Sequence, residues 1–269
     1  MRRKRLPLDG CPALALALAV LACTTSPLGR QQILLYPKAE VAQMGAAAFQ
    51  RMQQEMPVAR DSARQRYVEC VTRALAGALE RGSAPASWQV EIFEDKSANA
   101  FALPGGKIGV HTGMFEVAAN QDQLATVLGH EISHVIAEHT NERLSTTAVA
   151  ESGLQAMQLL LGGDSPGQRQ LLGALGLGAQ VGVLLPFSRA QESEADLLGL
   201  RLMARAGFDP RASVELWRRM ERQGRGSQPE FLSTHPSGST RIATLEQHMR
   251  EVLPAYEQAR RGGREPRCQ

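Results

Sequence analysis

Leu128-Gly129-His130-Glu131-Ile132-Ser133-His134 lies inside an apolar-periodic stretch that begins near Asp122 and reads as a helix. Residues four apart share a helical face, so His130 and His134 can present two imidazoles to one metal ion, with Glu131 beside it. The residue types suit one chemistry: two neutral nitrogens hold Zn²⁺, the ion acidifies water, and a carboxylate takes the proton. A further ligand must come from elsewhere. His139, five residues beyond His134, falls roughly 140° around a continuous helix. It is therefore expected to face away, as a packing or hydrogen-bonding residue.

The better donor lies in Ser188-Arg189-Ala190-Gln191-Glu192-Ser193-Glu194-Ala195-Asp196, on a second predicted helix. Glu192 and Asp196 share a face there. Glu192 can ligate the metal while Asp196 accepts a hydrogen bond from a ligand histidine and fixes its tautomer. Glu194 reads as part of a solvated face.

Outward from these helices the texture changes. Residues 38–82 are rich in Ala, Gln, Glu and Arg, broken at Met56-Pro57, and read as two helices. Trp88 to Phe93, Ala100 to Leu103 and Lys107 to His111 read as strands, the last two joined by Pro104-Gly105-Gly106. From Gln121 the chain is helical almost throughout, with breaks at 162–167, 207–210 and 223–238. The expected class is α+β, mainly helical, with one small sheet. Residues 170–188 form an uncharged run, read as a buried glycine-rich helix in preference to a membrane span, with shallow membrane contact as a variant. Asn99, Ala100, Phe101 and Ala102 could pair with an extended substrate through main-chain hydrogen bonds, or simply edge the sheet. His235, in a loop before the last predicted helix, has two candidate catalytic roles. It could donate to a developing oxyanion, or occupy the open metal position and hold the site latent. His111 and His248 read as structural.

Composition sets the outer bounds. A chain of 269 residues, 43% hydrophobic and 21% charged, is globular and long enough for a sizeable core. Its formal charge of +3 is matched by Arg2, Arg3, Lys4 and Arg5 against Asp9, so the body is neutral. That excludes a dedicated nucleic-acid binder, which needs concentrated cationic surface. The cationic start precedes an uncharged run from Pro12 to Ala22 and then Cys23, the pattern of an export signal. Ala22-Cys23 resembles a bacterial lipobox, with Cys23 the lipidation site. Ordinary cleavage or a retained anchor is the alternative. Thr24 after the cysteine points by the same resemblance to the outer membrane, facing the periplasm. In an oxidising compartment Cys70 and Cys268 are candidates for a disulfide; a buried thiol and a frayed tail are the other reading.

Taken jointly, the motifs resemble the HtpX/Oma-type zinc metallopeptidases, the gluzincins. The matching pieces are Asn99 to Gly106, His130 to His134, Pro186 to Arg189 with Glu192 to Asp196, and Ser233 to Ser237 with Arg241-Ile242, in the family's order. The resemblance implies a zincin-like domain holding one Zn²⁺ per chain on His130, His134 and Glu192. It also implies Glu131 as general base, with Arg241 reaching toward the acidic cluster. The implied activity is hydrolysis of peptide bonds, with unfolded or misassembled envelope proteins as substrates and a lipid anchor to the membrane. An envelope assembly factor or chaperone with a latent metallopeptidase site is the rival. The expected organisation is a signal peptide over 1–22, a linker and helix over 23–60, the peptidase domain over 61–257 and a basic tail over 258–269.

Overall fold

The computed structural model describes residues 23–80, 82, 85–161, 187–223, 231, 233, 235 and 241–268. The expected signal segment, most of the uncharged 170–188 run, the break at 162–167 and most of that at 223–238 lie outside the described residues.

The centre is helix α4 (Gln121–Ile136), buried at every position from Gln123 to Val135. Asn120 caps it, its side chain accepting from the Gln123 amide at 2.9 Å. Before α4 come α1 (Lys38–Glu55), α2 (Ser62–Ala76) and the short α3 (Met114–Val117). Asp61 caps α2 by accepting from the Ala63 and Arg64 amides. After α4 come α5 (His139–Leu161), α6 (Arg189–Ala206), α7 (Arg211–Gln223) and α8 (Arg241–Arg261). Ser188 and Gln191 form a capping box at the start of α6, and Gly207 ends it with φ of 90°.

The expected strands form a three-stranded sheet in the order β3 (Gln89–Phe93), β5 (Lys107–His111), β4 (Ala100–Leu103). β3 runs parallel to β5, and β4 antiparallel to it, with Ala102 opposite Ile108. The β4–β5 turn needs its glycines: Gly105 and Gly106 have φ of 84° and 77°. A second, two-stranded antiparallel sheet, not expected from the sequence, pairs β1 (Cys23–Thr25) with β2 (Gln31–Ile33). Three-residue strands are too short to carry a readable alternation.

Sheet and helices share one core that includes Ile92, Ile108, Leu128, Ile132, Met203 and Trp217. α4 and α6 approach backbone to backbone, because a side chain on Gly199 would lie 2.9 Å from the Gly129 carbonyl carbon and the His130 amide. That approach brings the start of α6 within reach of the α4 histidines. Cys70, on α2, and Cys268, past α8, form a disulfide, so the disulfide alternative is the one realised. Among the described residues, no helix is long and apolar enough to cross a membrane.

Candidate metal centre

Helical spacing sets His130 Nε2 3.0 Å from His134 Nε2. Glu192, in the first turn of α6, brings Oε2 to 3.5 Å from the first of these nitrogens and Oε1 to 3.5 Å from the second. His235 adds its Nδ1 at 3.1 Å from His130 Nε2 and 3.0 Å from Glu192 Oε1. All four side chains are buried, and their donor atoms lie within 4.8 Å of one another. Donors about 2.0–2.2 Å from a zinc ion stand about 3.3–3.5 Å apart in a tetrahedron. The spacings of these four atoms therefore suit such an ion, and the set of imidazoles and one carboxylate is what zinc takes.

Glu131, on the next position of α4, is 2% exposed. Its Oε2 accepts from the Ala102 amide at 3.1 Å, and its Oε1 lies 3.2 Å from His235 Nε2. The Ala102 N–H thus points away from β5, off the sheet edge and into the site. Ala100 is buried in the same strand. The Phe101 ring packs the other way, over Gly109, and lies 6.0 Å from the Phe93 ring. The Asn99 carbonyl accepts from the His111 amide at 2.9 Å. Of the four candidate substrate-binding residues, Ala102 therefore offers the main-chain group nearest the general-base candidate.

The protonation pattern follows from the neighbours. Burial pushes the Glu131 carboxyl up, although the His235 and His130 imidazoles draw it down. Burial opposes charge on His130, but hydrogen bonds to Asp196 and Glu192 outweigh it and raise the imidazole to about 9. His134 is held well below its ordinary value by burial, and the neighbouring His130 and His235 imidazoles lower it further. Glu192 stays well below the carboxylate range despite burial, because His130 and His235 bond to it.

Behind His130, Nδ1 meets Asp196 Oδ1 at 2.9 Å, the contact expected of Asp196. Arg241 lies where the resemblance implied. Its Nε donates to Asp196 Oδ2 and its Nη2 to Glu192 Oε2, both at 2.5 Å, while its guanidinium covers the Trp217 ring at 4.0 Å. The ring of Phe187 stacks on His134 with centroids 3.9 Å apart.

Two expectations fail here. His139 does not face away: the helix ends at Ile136, Glu138 takes φ of 54°, and a new helix starts at His139. The turn swings His139 back, with Nδ1 2.9 Å from His134 Nδ1 and Nε2 3.2 Å from Glu194 Oε2. Glu194 is not a solvated residue: it is 4% exposed. Burial alone would raise its carboxyl, yet hydrogen bonds from His139, Ser26 and Arg30 lower it to about 2. Arg30, which sequence reasoning missed, donates from Nε to Glu194 Oε2 at 2.9 Å. Its Nη2 reaches Glu142 Oε2 at 2.7 Å, and Nη1 bonds Glu142 Oε1. No local pattern marks an arginine whose partners lie more than a hundred residues away. His111 and His248 sit outside the site: His111 Nδ1 bonds Ser97 Oγ at 2.8 Å, and His248 pairs with Glu251.

Comparison with known proteins finds metalloendopeptidases and a related protease. Mitochondrial metalloendopeptidase OMA1 of Schizosaccharomyces pombe is 40% identical over 175 residues, covering 64% of this chain and 49% of that protein. The zebrafish (Danio rerio) OMA1 is 36% identical over 245 residues, covering 85% of this chain and 50% of its own. The beta-barrel assembly-enhancing protease of Escherichia coli K12 is 28% identical over 224 residues, covering 81% and 45%. The chain thus spans about half the length of the curated relatives it matches. The model of peptidase family M48 matches residues 62–249, from the first residue of α2 to within α8, and the chain belongs to that family.

Proposed function

We propose that this protein is a zinc-dependent metalloendopeptidase that hydrolyses peptide bonds within extended stretches of unfolded or misassembled proteins of the bacterial envelope. The observation that supports this most is the link between Glu131 and β4. The buried carboxylate beside the His130, His134 and Glu192 donors is hydrogen-bonded to an outward-facing amide of the neighbouring strand. A substrate laid along that edge would compete for the Ala102 N–H and bring its scissile bond to Glu131.

His130, His134 and Glu192 would hold the zinc ion, and Asp196 would fix the His130 tautomer. When bound, zinc polarises the scissile carbonyl and lowers the pKa of water. Glu131 takes the proton from the attacking water and delivers it to the leaving amine. Its burial favours the protonated form, which assists the first transfer, and the second transfer returns Glu131 to the carboxylate. Ala100 and Ala102 hold the extended backbone by main-chain bonds that read no side chain, which suits substrates defined by being unfolded. The peptidase unit would run over 61–257, preceded by the linker and helix of 23–60 and followed by the tail of 258–269.

Of the two roles open to His235, the latch fits better. Its Nδ1 stands among the donors and its Nε2 beside Glu131, where substrate and water must enter. The same contact favours, as a second reading, an envelope assembly factor with a latent site. The cationic and apolar segment before Cys23 supports export and a lipid anchor at that residue, which begins β1 and is exposed. The name of the Escherichia coli relative supports an envelope role. No nucleic-acid partner is proposed.

The test is cleavage of an unfolded protein by the zinc-loaded chain, its Glu131→Gln variant and its His235→Ala variant at equal zinc content. Glu131→Gln should lower the rate by about 10²–10⁴-fold, and His235→Ala should raise it. A fall on His235→Ala would reject the latch in favour of oxyanion stabilisation. Absence of cleavage by wild type and His235→Ala alike, with zinc bound, would leave the assembly-factor reading standing. Mass spectrometry of the amino terminus should find an acylated Cys23; an unmodified start or a retained leader would reject the anchor.

A further inference from the structure

Ligand histidines must present a lone pair to the metal, so the proton on the opposite ring nitrogen needs a defined acceptor. For His130 that acceptor is Asp196. For His134 it is another imidazole, which can itself donate or accept, so the arrangement is settled only further out. Glu194 is a carboxylate and accepts from His139 Nε2–H at 3.2 Å. His139 Nδ1 is then left with its lone pair and accepts from His134 Nδ1–H at 2.9 Å. His134 Nε2 is left bare, facing His130 Nε2 and Glu192.

Glu194 is in turn fixed from the other end of the chain. The Leu28 amide donates to its Oε1 at 3.2 Å and Arg30 Nε to its Oε2 at 2.9 Å. The remaining Arg30 nitrogens hold Glu142, which also accepts from Gln191 Nε2 at 2.8 Å. Gln191 belongs to the capping box that opens α6, one residue before Glu192. The β1–β2 hairpin therefore touches the supports of two candidate ligands at once.

We infer that Arg30 is a positioning residue of the metal centre, acting through Glu194 and His139 on the tautomer of His134 and through Glu142 and Gln191 on the turn that carries Glu192. This rests on the metal-site reading above, and it makes the amino-terminal hairpin part of the centre although it lies outside the stretch matched by the family model.

The experiment measures zinc affinity of the metal-free full chain by competition with a chromophoric chelator, with no substrate present. The variants are Glu194→Gln, Arg30→Ala and Arg30→Lys. Glu194→Gln keeps the shape but adds a donor, which allows His139 to flip its proton and block His134 Nε2. It should weaken zinc binding by about 10–100-fold. Arg30→Ala should weaken it about tenfold. Arg30→Lys, which keeps the charge but cannot span both carboxylates, should restore only part of the loss and serves if the alanine variant does not fold. Histidine ¹⁵N spectra of the metal-free chain should show His134 protonated on Nδ1 in wild type and on both nitrogens, in exchange, in Glu194→Gln. Zinc affinity within threefold of wild type in folded Glu194→Gln and Arg30→Lys would overturn the inference, as would an unchanged His134 tautomer. Failure of wild type to bind zinc would instead overturn the metal-site reading itself, and this inference with it.

Discussion

The two α4 histidines of the candidate metal centre are backed in different ways. His130 passes its Nδ1 directly to a carboxylate, Asp196, which an arginine of the carboxyl-terminal helix grips. His134 reaches its carboxylate, Glu194, only through a second imidazole, and the arginine at the far end comes from the amino-terminal hairpin. The cause is position along α4. His130 lies one residue from Gly129, where Gly199 brings α6 close enough for a short side chain to span the gap. His134 lies in the last turn of α4, and the swing at Glu138 supplies an imidazole as spacer between it and Glu194. Burial divides in the same way, with the Arg241 side chain 4% exposed and that of Arg30 26%.

Removing each arginine tests that division. Arg241→Ala strands two buried carboxylates, Glu192 and Asp196, and should cost about 3–5 kcal/mol of folding stability in urea unfolding. Arg30 is itself partly exposed, so its removal lets water reach Glu142 and Glu194, and Arg30→Ala should cost about 1–3 kcal/mol. Equal losses would erase the distinction. The next largest effect concerns how each arginine is anchored. α8 leads into Cys268 and its disulfide, whereas the described contacts of the hairpin with the body include the hydrogen bond from the Leu28 amide to Glu194 Oε1. Cys268→Ser should therefore cost about 2–4 kcal/mol while leaving zinc affinity unchanged; a parallel loss of zinc would mean that the tail supports the site as well as the fold.

The smallest effect is a pH dependence on the hairpin side. Glu194 falls from an ordinary 4.5 to about 2 in the folded chain. A depressed carboxyl stabilises the fold fully above its unfolded value, and that contribution is lost as pH drops through the folded one. The stability gap between wild type and Glu194→Gln should thus be widest near neutrality, shrink below about pH 4.5 and close near pH 2. A gap that ignores pH would show that Glu194 acts by shape alone.

Much of the centre was legible because helical spacing is local. His130, Glu131 and His134 on one helix and Glu192 and Asp196 on another needed only the four-residue rule, and the hairpin around Gly105-Gly106 only its turn chemistry. The reading failed where a break carries no signal. Glu138 is neither Gly nor Asn, yet it adopts a left-handed conformation and resets the helical phase, so the angle drawn from His134 to His139 did not apply. It failed again at Glu194, whose burial depends on Arg30, 164 residues earlier in the chain. Arg241 was reachable only through the resemblance, since spacing cannot bring the last helix to the acidic pair.

The Cys70–Cys268 bond also has a topological side. It closes a covalent ring around the four candidate metal donors, Glu131 and all three strands of the main sheet, leaving the hairpin and α1 outside. A single backbone cut anywhere in that ring leaves one molecule of undiminished mass. For a chain proposed to cut polypeptides, self-nicking within its own ring would pass unseen on a non-reducing gel and appear as fragments only after reduction.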